Sequence, residues 1–146
     1  MSGLEGAGPS GLVYENTIHE ALGIRLVEVG PDRVVLEMDV GPAVHQPMGL
    51  LHGGASAVIA ESAASIGAYM NCRDDEFAVG TDLNVSHLRA RRDGTVRAIA
   101  VPVRKGRSIH VWTVDVVDQD GTPVAVARCT LAIRPLAGGG QREGKD

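Results

Sequence analysis

Glu61 is the only Asp, Glu, Lys or Arg between His52 and Cys72. A lone carboxylate in so apolar a stretch is costly to bury, so it faces solvent, caps a neighbouring element or performs chemistry. Three neighbouring features favour chemistry. Gly53-Gly54 opens the stretch, and glycine lets a ligand approach the backbone closely. The first N–H groups of a helix lack internal partners and carry positive dipole character, which suits a developing oxyanion. A plain loop-to-helix junction would use the same glycines. Ser65 follows Glu61 by four residues on the same helical face, where it could position water or a carbonyl. A serine bonded back to its own helix is the ordinary alternative. His45, Gln46 and His52 flank the loop leading into the glycines. The two histidines are seven residues apart across Pro47 and Gly49. That spacing matches no metal-ligand motif, and no metal is assigned.

Gly53 and Glu61 are eight residues apart, about 12 Å along one helix. One reacting carbonyl cannot easily touch both within a chain. If both serve one reaction, they come from different subunits.

These residues need an element to carry them. His52 to Cys72 lacks Pro and is built from Ala, Ser, Val and Ile, apolar on every side, which predicts a long buried helix. Before it, the sequence predicts a short helix from Tyr14 to Leu22, a strand from Ile24 to Val29 and a strand from Arg33 to Val40. Gly30-Pro31-Asp32 supplies the turn of that hairpin. Four strands are predicted after the helix: Phe77 to Ser86, Thr95 to Arg104, Ser108 to Val117 and Pro123 to Ile133. Strands and helix are segregated, which predicts an α+β fold with a mainly antiparallel sheet. One helix against one curved sheet leaves edges unprotected, and pairing with a second copy is the simple remedy.

The chain has 146 residues, enough for one domain. Residues 12–136 form that domain, and the Gly-rich segments 1–11 and 137–146 are expected to be disordered tails. Cys72 and Cys129 are too few for a disulfide framework and are expected to be free thiols in a reducing cytoplasm. No secretory signal is visible, and no apolar run reaches the length of a membrane span. Net charge is −4, which argues against nonspecific nucleic-acid binding. Yet seven of the fourteen Lys and Arg residues lie between Arg89 and Arg107, with only Asp93 opposing them. That segment suits an anionic ligand. Arg91 and Arg92 are read as solvated turn residues.

The run His45-Gln46-Pro47-Met48-Gly49-Leu50-Leu51-His52-Gly53-Gly54, followed by Ala60-Glu61-Ser62, resembles the hotdog-fold acyl-CoA thioesterases. It is most similar to the branch of 4-hydroxybenzoyl-CoA and 1,4-dihydroxy-2-naphthoyl-CoA thioesterases. The resemblance continues through Asn84-Val85-Ser86-His87-Leu88-Arg89, Gly106-Arg107-Ser108 and Val111-Trp112, spanning roughly Leu22 to Pro135. It implies a sheet wrapped around a central helix, paired into a homodimer and usually a dimer of dimers. It implies hydrolysis of an acyl-CoA thioester with no metal or redox cofactor. By position, Glu61 corresponds to the catalytic carboxylate and Gly53 to the N–H that polarises the thioester carbonyl. Gln46 and His52 match supporting polar positions. Ser65 matches the residue that positions water or the leaving group. His87, Arg89, Gly106, Arg107 and Ser108 resemble positions that hold the CoA nucleotide, where charge-assisted bonds to phosphate would be the reason. Another branch, associated with phenylacetate catabolism, uses Asp as its carboxylate, and Glu61 with Gln46 favours the hydroxybenzoyl-like branch. His45 departs from the small or amide residue more often found there. Two rival activities fit the same fold: a 3-hydroxyacyl-thioester dehydratase, and a non-catalytic acyl-CoA binder.

Overall fold

The computed structural model describes residues 11–137. A short helix α1 (Ile18–Leu22) leads into strands β1 (Arg25–Val29) and β2 (Val34–Asp39). A single 3-10 turn (Pro42–Val44) precedes the long helix α2 (Gly53–Tyr69). Four strands follow: β3 (Glu76–His87), β4 (Thr95–Lys105), β5 (Ile109–Asp118) and β6 (Pro123–Pro135). They form one six-stranded sheet in the order β1-β2-β4-β5-β6-β3, with every neighbouring pair antiparallel. The edges are therefore β1 and β3. The expected tails fall outside the described residues except for Gly11 and Ala137.

The inward face of the sheet is legible in its alternation. In β5, His110, Trp112, Val114, Val116 and Asp118 are buried, while Ile109, Thr113 and Asp115 are exposed, the period of two that pleating imposes. α2 lies across this face and packs on β2, β3, β4, β5 and β6. Its small residues Ala60, Ala63, Ala64 and Ala68 are fully buried beside Ile59 and Ile66, so backbone and sheet approach closely. The fully buried Trp112 fills the space opposite Gly67.

Two helices are shorter than predicted, each for a local reason. α1 starts at Ile18 rather than Tyr14. Asn16 has φ 58°, outside the helical region, and Thr17 Oγ1 accepts the His19 N–H as N-cap. Gly23, at φ 68°, closes this helix in the left-handed conformation. α2 ends at Tyr69 rather than Cys72. The Asn71 side chain takes over there, donating to Gly67 O and to Pro31 O, each at 2.8 Å. This ties the helix end to the β1–β2 turn.

The reading of Arg91 as a solvated turn residue is wrong. Its guanidinium is half-buried and pairs with the buried Asp118 carboxylate at 3.3 Å. Asp118 also accepts the N–H groups of Asp120 and Thr122, each at 2.9 Å, which closes the β5–β6 turn. The Arg91 carbonyl accepts the Leu51 N–H at 2.7 Å, and His45 Nε2 donates to Arg92 O at 2.8 Å. The loop ahead of Gly53 is thus stitched to the segment after β3, and the unusual His45 is one of the stitches. Arg92 is exposed as expected.

Candidate active site

Glu61 occupies the ninth position of α2 and is half-buried. It lines a cavity of about 560 Å³, within the size range of small-molecule sites. Val58, Glu61, Ser62, Ser65, Ile66 and Tyr69 supply the helical wall. Their spacing of three and four is one stripe of an α-helix, so the predicted sharing of a face by Glu61 and Ser65 holds. Residues 12–14 and 17–19 form a second wall, and Phe77 and Ala78 of β3 a third. Three of the chain's four aromatic residues, Tyr14, Tyr69 and Phe77, line this one cavity.

His19 and Ser62, which the sequence did not single out, also line it. His19 Nε2 lies 2.7 Å from Ser62 Oγ, and its ring stacks on Tyr14 at 4.9 Å. Burial lowers its pKa below 6.5 and favours the neutral ring. The pair joins residues 43 apart in sequence, and no local spacing rule could have found it.

Gly53 lies in a different recess, with Leu50, Leu51, Ser56, His87 and Arg89. His52 is the N-cap of α2, its Nδ1 accepting the Gly54 N–H at 2.7 Å. His52 O accepts from Ala55 at 2.9 Å and Ser56 at 3.3 Å. Of the first four N–H groups of α2, that leaves the Gly53 N–H as the one with no acceptor among the described residues. A Cβ on Gly53 would meet His87 Nε2 at 2.8 Å, so the imidazole packs on the bare backbone. Gln46 Oε1 accepts from Met48 N at 2.5 Å and Leu50 N at 3.4 Å, holding the loop that presents Gly53.

The five proposed nucleotide contacts do not converge in one chain. His87 and Arg89 stand by Gly53. Gly106 and Arg107 line a recess with Asn71, Arg73 and Lys105, beyond the other end of α2. Ser108 is exposed, its carbonyl accepting from Ile133 N at 2.9 Å. The α2 axis between these groups is about 25 Å long.

Neither cysteine is poised as a nucleophile. Burial, with the Glu61 and Asp82 carboxylates nearby, pushes the Cys129 thiol up to about 12, and burial with Glu76 raises Cys72. A protonated thiol attacks poorly. Among the described residues, no cluster of three or more His, Cys, Asp or Glu side chains could hold a metal ion, and no helix is long and apolar enough to cross a membrane.

The sequence model of the thioesterase superfamily matches residues 48–125. The chain is 38% identical over 117 residues to a 1,4-dihydroxy-2-naphthoyl-CoA hydrolase of Listeria monocytogenes, covering 80% of this chain and 95% of that protein. It is also 38% identical to the proofreading thioesterase EntH of Cronobacter turicensis, covering 80% of this chain and 85% of that one. Among solved structures, a thioesterase from Haemophilus influenzae superposes with a TM-score of 0.83 at 34% identity, over 88% of this chain and 90% of that one. The α+β architecture, the residues 48–125 that carry Gly53 and Glu61, and these relatives agree: the chain belongs to the thioesterase superfamily and is a thioester hydrolase of the hotdog fold.

Proposed function

We propose that this protein hydrolyses an acyl-CoA thioester, with a flat aroyl group as its best acyl moiety, to the carboxylic acid and free CoA. The observation that carries this reading is the Glu61 carboxylate on the wall of an apolar cavity with three aromatic side chains around it. Such walls suit an aromatic ring, which stacks or meets them edge-on. The similarity to a hydrolase that acts on 1,4-dihydroxy-2-naphthoyl-CoA supports the aroyl choice.

Two balanced routes fit. In the first, Glu61 takes a proton from water as the water oxygen bonds to the thioester carbonyl carbon. The tetrahedral oxyanion is held by the Gly53 N–H, the C–S bond breaks, and the departing thiolate receives the proton from Glu61. In the second, a Glu61 oxygen attacks the carbonyl carbon and displaces the CoA thiolate, and water then cleaves the mixed anhydride. Ser65 positions the water or the leaving group, and His52 and Gln46 hold the loop that presents Gly53. Neither route calls for a metal or a redox cofactor. A CoA-ester substrate places the work in the cytoplasm.

The separation of Gly53 from Glu61 supports a site completed by a second copy. Pairing the β3 edges about a two-fold axis runs the two strands antiparallel. The His87 end of one strand then approaches the Glu76 end of the other. This brings the recess holding Gly53, His87 and Arg89 toward the partner's recess holding Gly106 and Arg107. A homodimer built this way gathers the scattered nucleotide contacts, and a dimer of dimers is compatible with it.

The test is thiol release from a panel of aroyl-CoA and straight-chain acyl-CoA esters. Stoichiometric acid and free CoA, fastest with an aroyl ester, is the expected result. Binding without thiol release, or an enoyl product from a 3-hydroxyacyl ester, would overturn it.

A further inference from the structure

We propose that Gly80 of β3 is a positioning residue for the Glu61 carboxylate. The proposal rests on the reading that Glu61 performs the chemistry. A Cβ built on Gly80 would stand 2.0 Å from Glu61 Oε1, 3.1 Å from Cδ and 3.5 Å from Cγ. The carboxylate therefore lies directly on the strand backbone, in space that any side chain at position 80 would fill.

The backbone itself does not call for glycine there. Among the described residues, the positive-φ glycines are 11, 23, 49, 94 and 121, and Gly80 is not among them. What position 80 requires is room, the second reason for glycine within a strand. The ladder is also irregular at this point. Gly80 pairs with Leu131 and Asp82 with Thr130, with the register shifting between them. Thr81 is the extra residue, and its Oγ1 donates to Thr130 O at 3.3 Å. A bulge of this kind re-aims a strand locally and is common beside active sites. Upstream of it, Phe77 and Ala78 face the cavity. The bulge and the missing Cβ together form the seat on which the carboxylate rests.

Glu61 is long and flexible. A methyl group at position 80 would displace the carboxylate rather than break the strand. The consequence falls on rate, since a misplacement of about 1 Å can cost about 100-fold in turnover. Stability should hold or rise, because alanine is the better strand residue where φ is ordinary.

The experiment measures kcat, KM and melting temperature for wild type, Gly80→Ala, Glu61→Asp and the double variant, with size-exclusion light scattering on each. Gly80→Ala is expected to lower kcat about 10- to 100-fold with KM within about threefold and an unchanged or higher melting temperature. Glu61→Asp withdraws the carboxylate by one methylene, so adding Gly80→Ala to it should cost no more than about threefold further. Wild-type kcat in Gly80→Ala would overturn the proposal, as would the same loss repeated in full on the Glu61→Asp background. If Gly80→Ala does not fold, recovery of folding in the double variant supports the proposal and its absence overturns it. Glu61→Ala separates the two levels. Full turnover there defeats the reading of Glu61, whereas its inactivity beside a fully active Gly80→Ala defeats only the role of Gly80.

Discussion

His19 and His110 are both held below the ordinary histidine pKa of 6.5, chiefly by burial, with the Lys105 charge adding to the effect at His110. Protonation therefore favours the unfolded chain. Their contribution to stability is complete above about pH 6.5 and is lost as pH falls through the window below it. Melting temperature should drop between about pH 7.5 and about pH 5.5, and His110→Gln, which keeps an acceptor for Trp112 Nε1, should flatten the drop. A pH-independent melting temperature over that range would contradict this. At the same scale, Glu61, Ser65 and Gly53 were legible because each broke the run around it: a lone charge, a hydroxyl one turn on, a glycine pair at a helix start. His19, Ser62 and Gly80 were not. Their meaning lies in contacts across the fold, and a histidine in a short helix or a glycine in a strand has many ordinary uses.

α2 shows what an element can encode. Its length and burial were legible in the unbroken run of small and apolar residues, and the strands in their alternation and turns. Its exact end was not, because Asn71 stops it through a bond to the distant Pro31 carbonyl. Arg91 was misread for the same reason, since its partner Asp118 lies at the distant end of β5. Within α2, Gly67 is set against Trp112, and a Cβ there would stand 2.4 Å from the ring. The indole is fully buried and its Nε1 donates to His110 Nδ1 at 3.3 Å, so it cannot swing away. Gly67→Ala gains up to about 1 kcal/mol of helix propensity, while overpacking a filled core costs about 1–3 kcal/mol. The clash wins, and chemical denaturation should show a loss of about 1 kcal/mol. An equal or more stable variant would show that the core at Trp112 has room for a methyl group.

Across the whole molecule, the sheet has two open edges, and the long β3 edge carries Gly80 and runs along the cavity wall. The separation of Gly53 from Glu61 was legible as a count of residues, and the structure adds that the two line separate recesses. The proposed pairing of two copies along β3 would account for both facts, and for nucleotide candidates split between opposite ends of α2. The proposed function rests on the Glu61 carboxylate, on the wall of the apolar cavity, as the group that drives thioester cleavage. The most direct measurement is kcat for CoA release from the best ester, wild type against Glu61→Ala. A fall of about 100-fold or more with the ester still bound is expected. Equal turnover in the two proteins would contradict it.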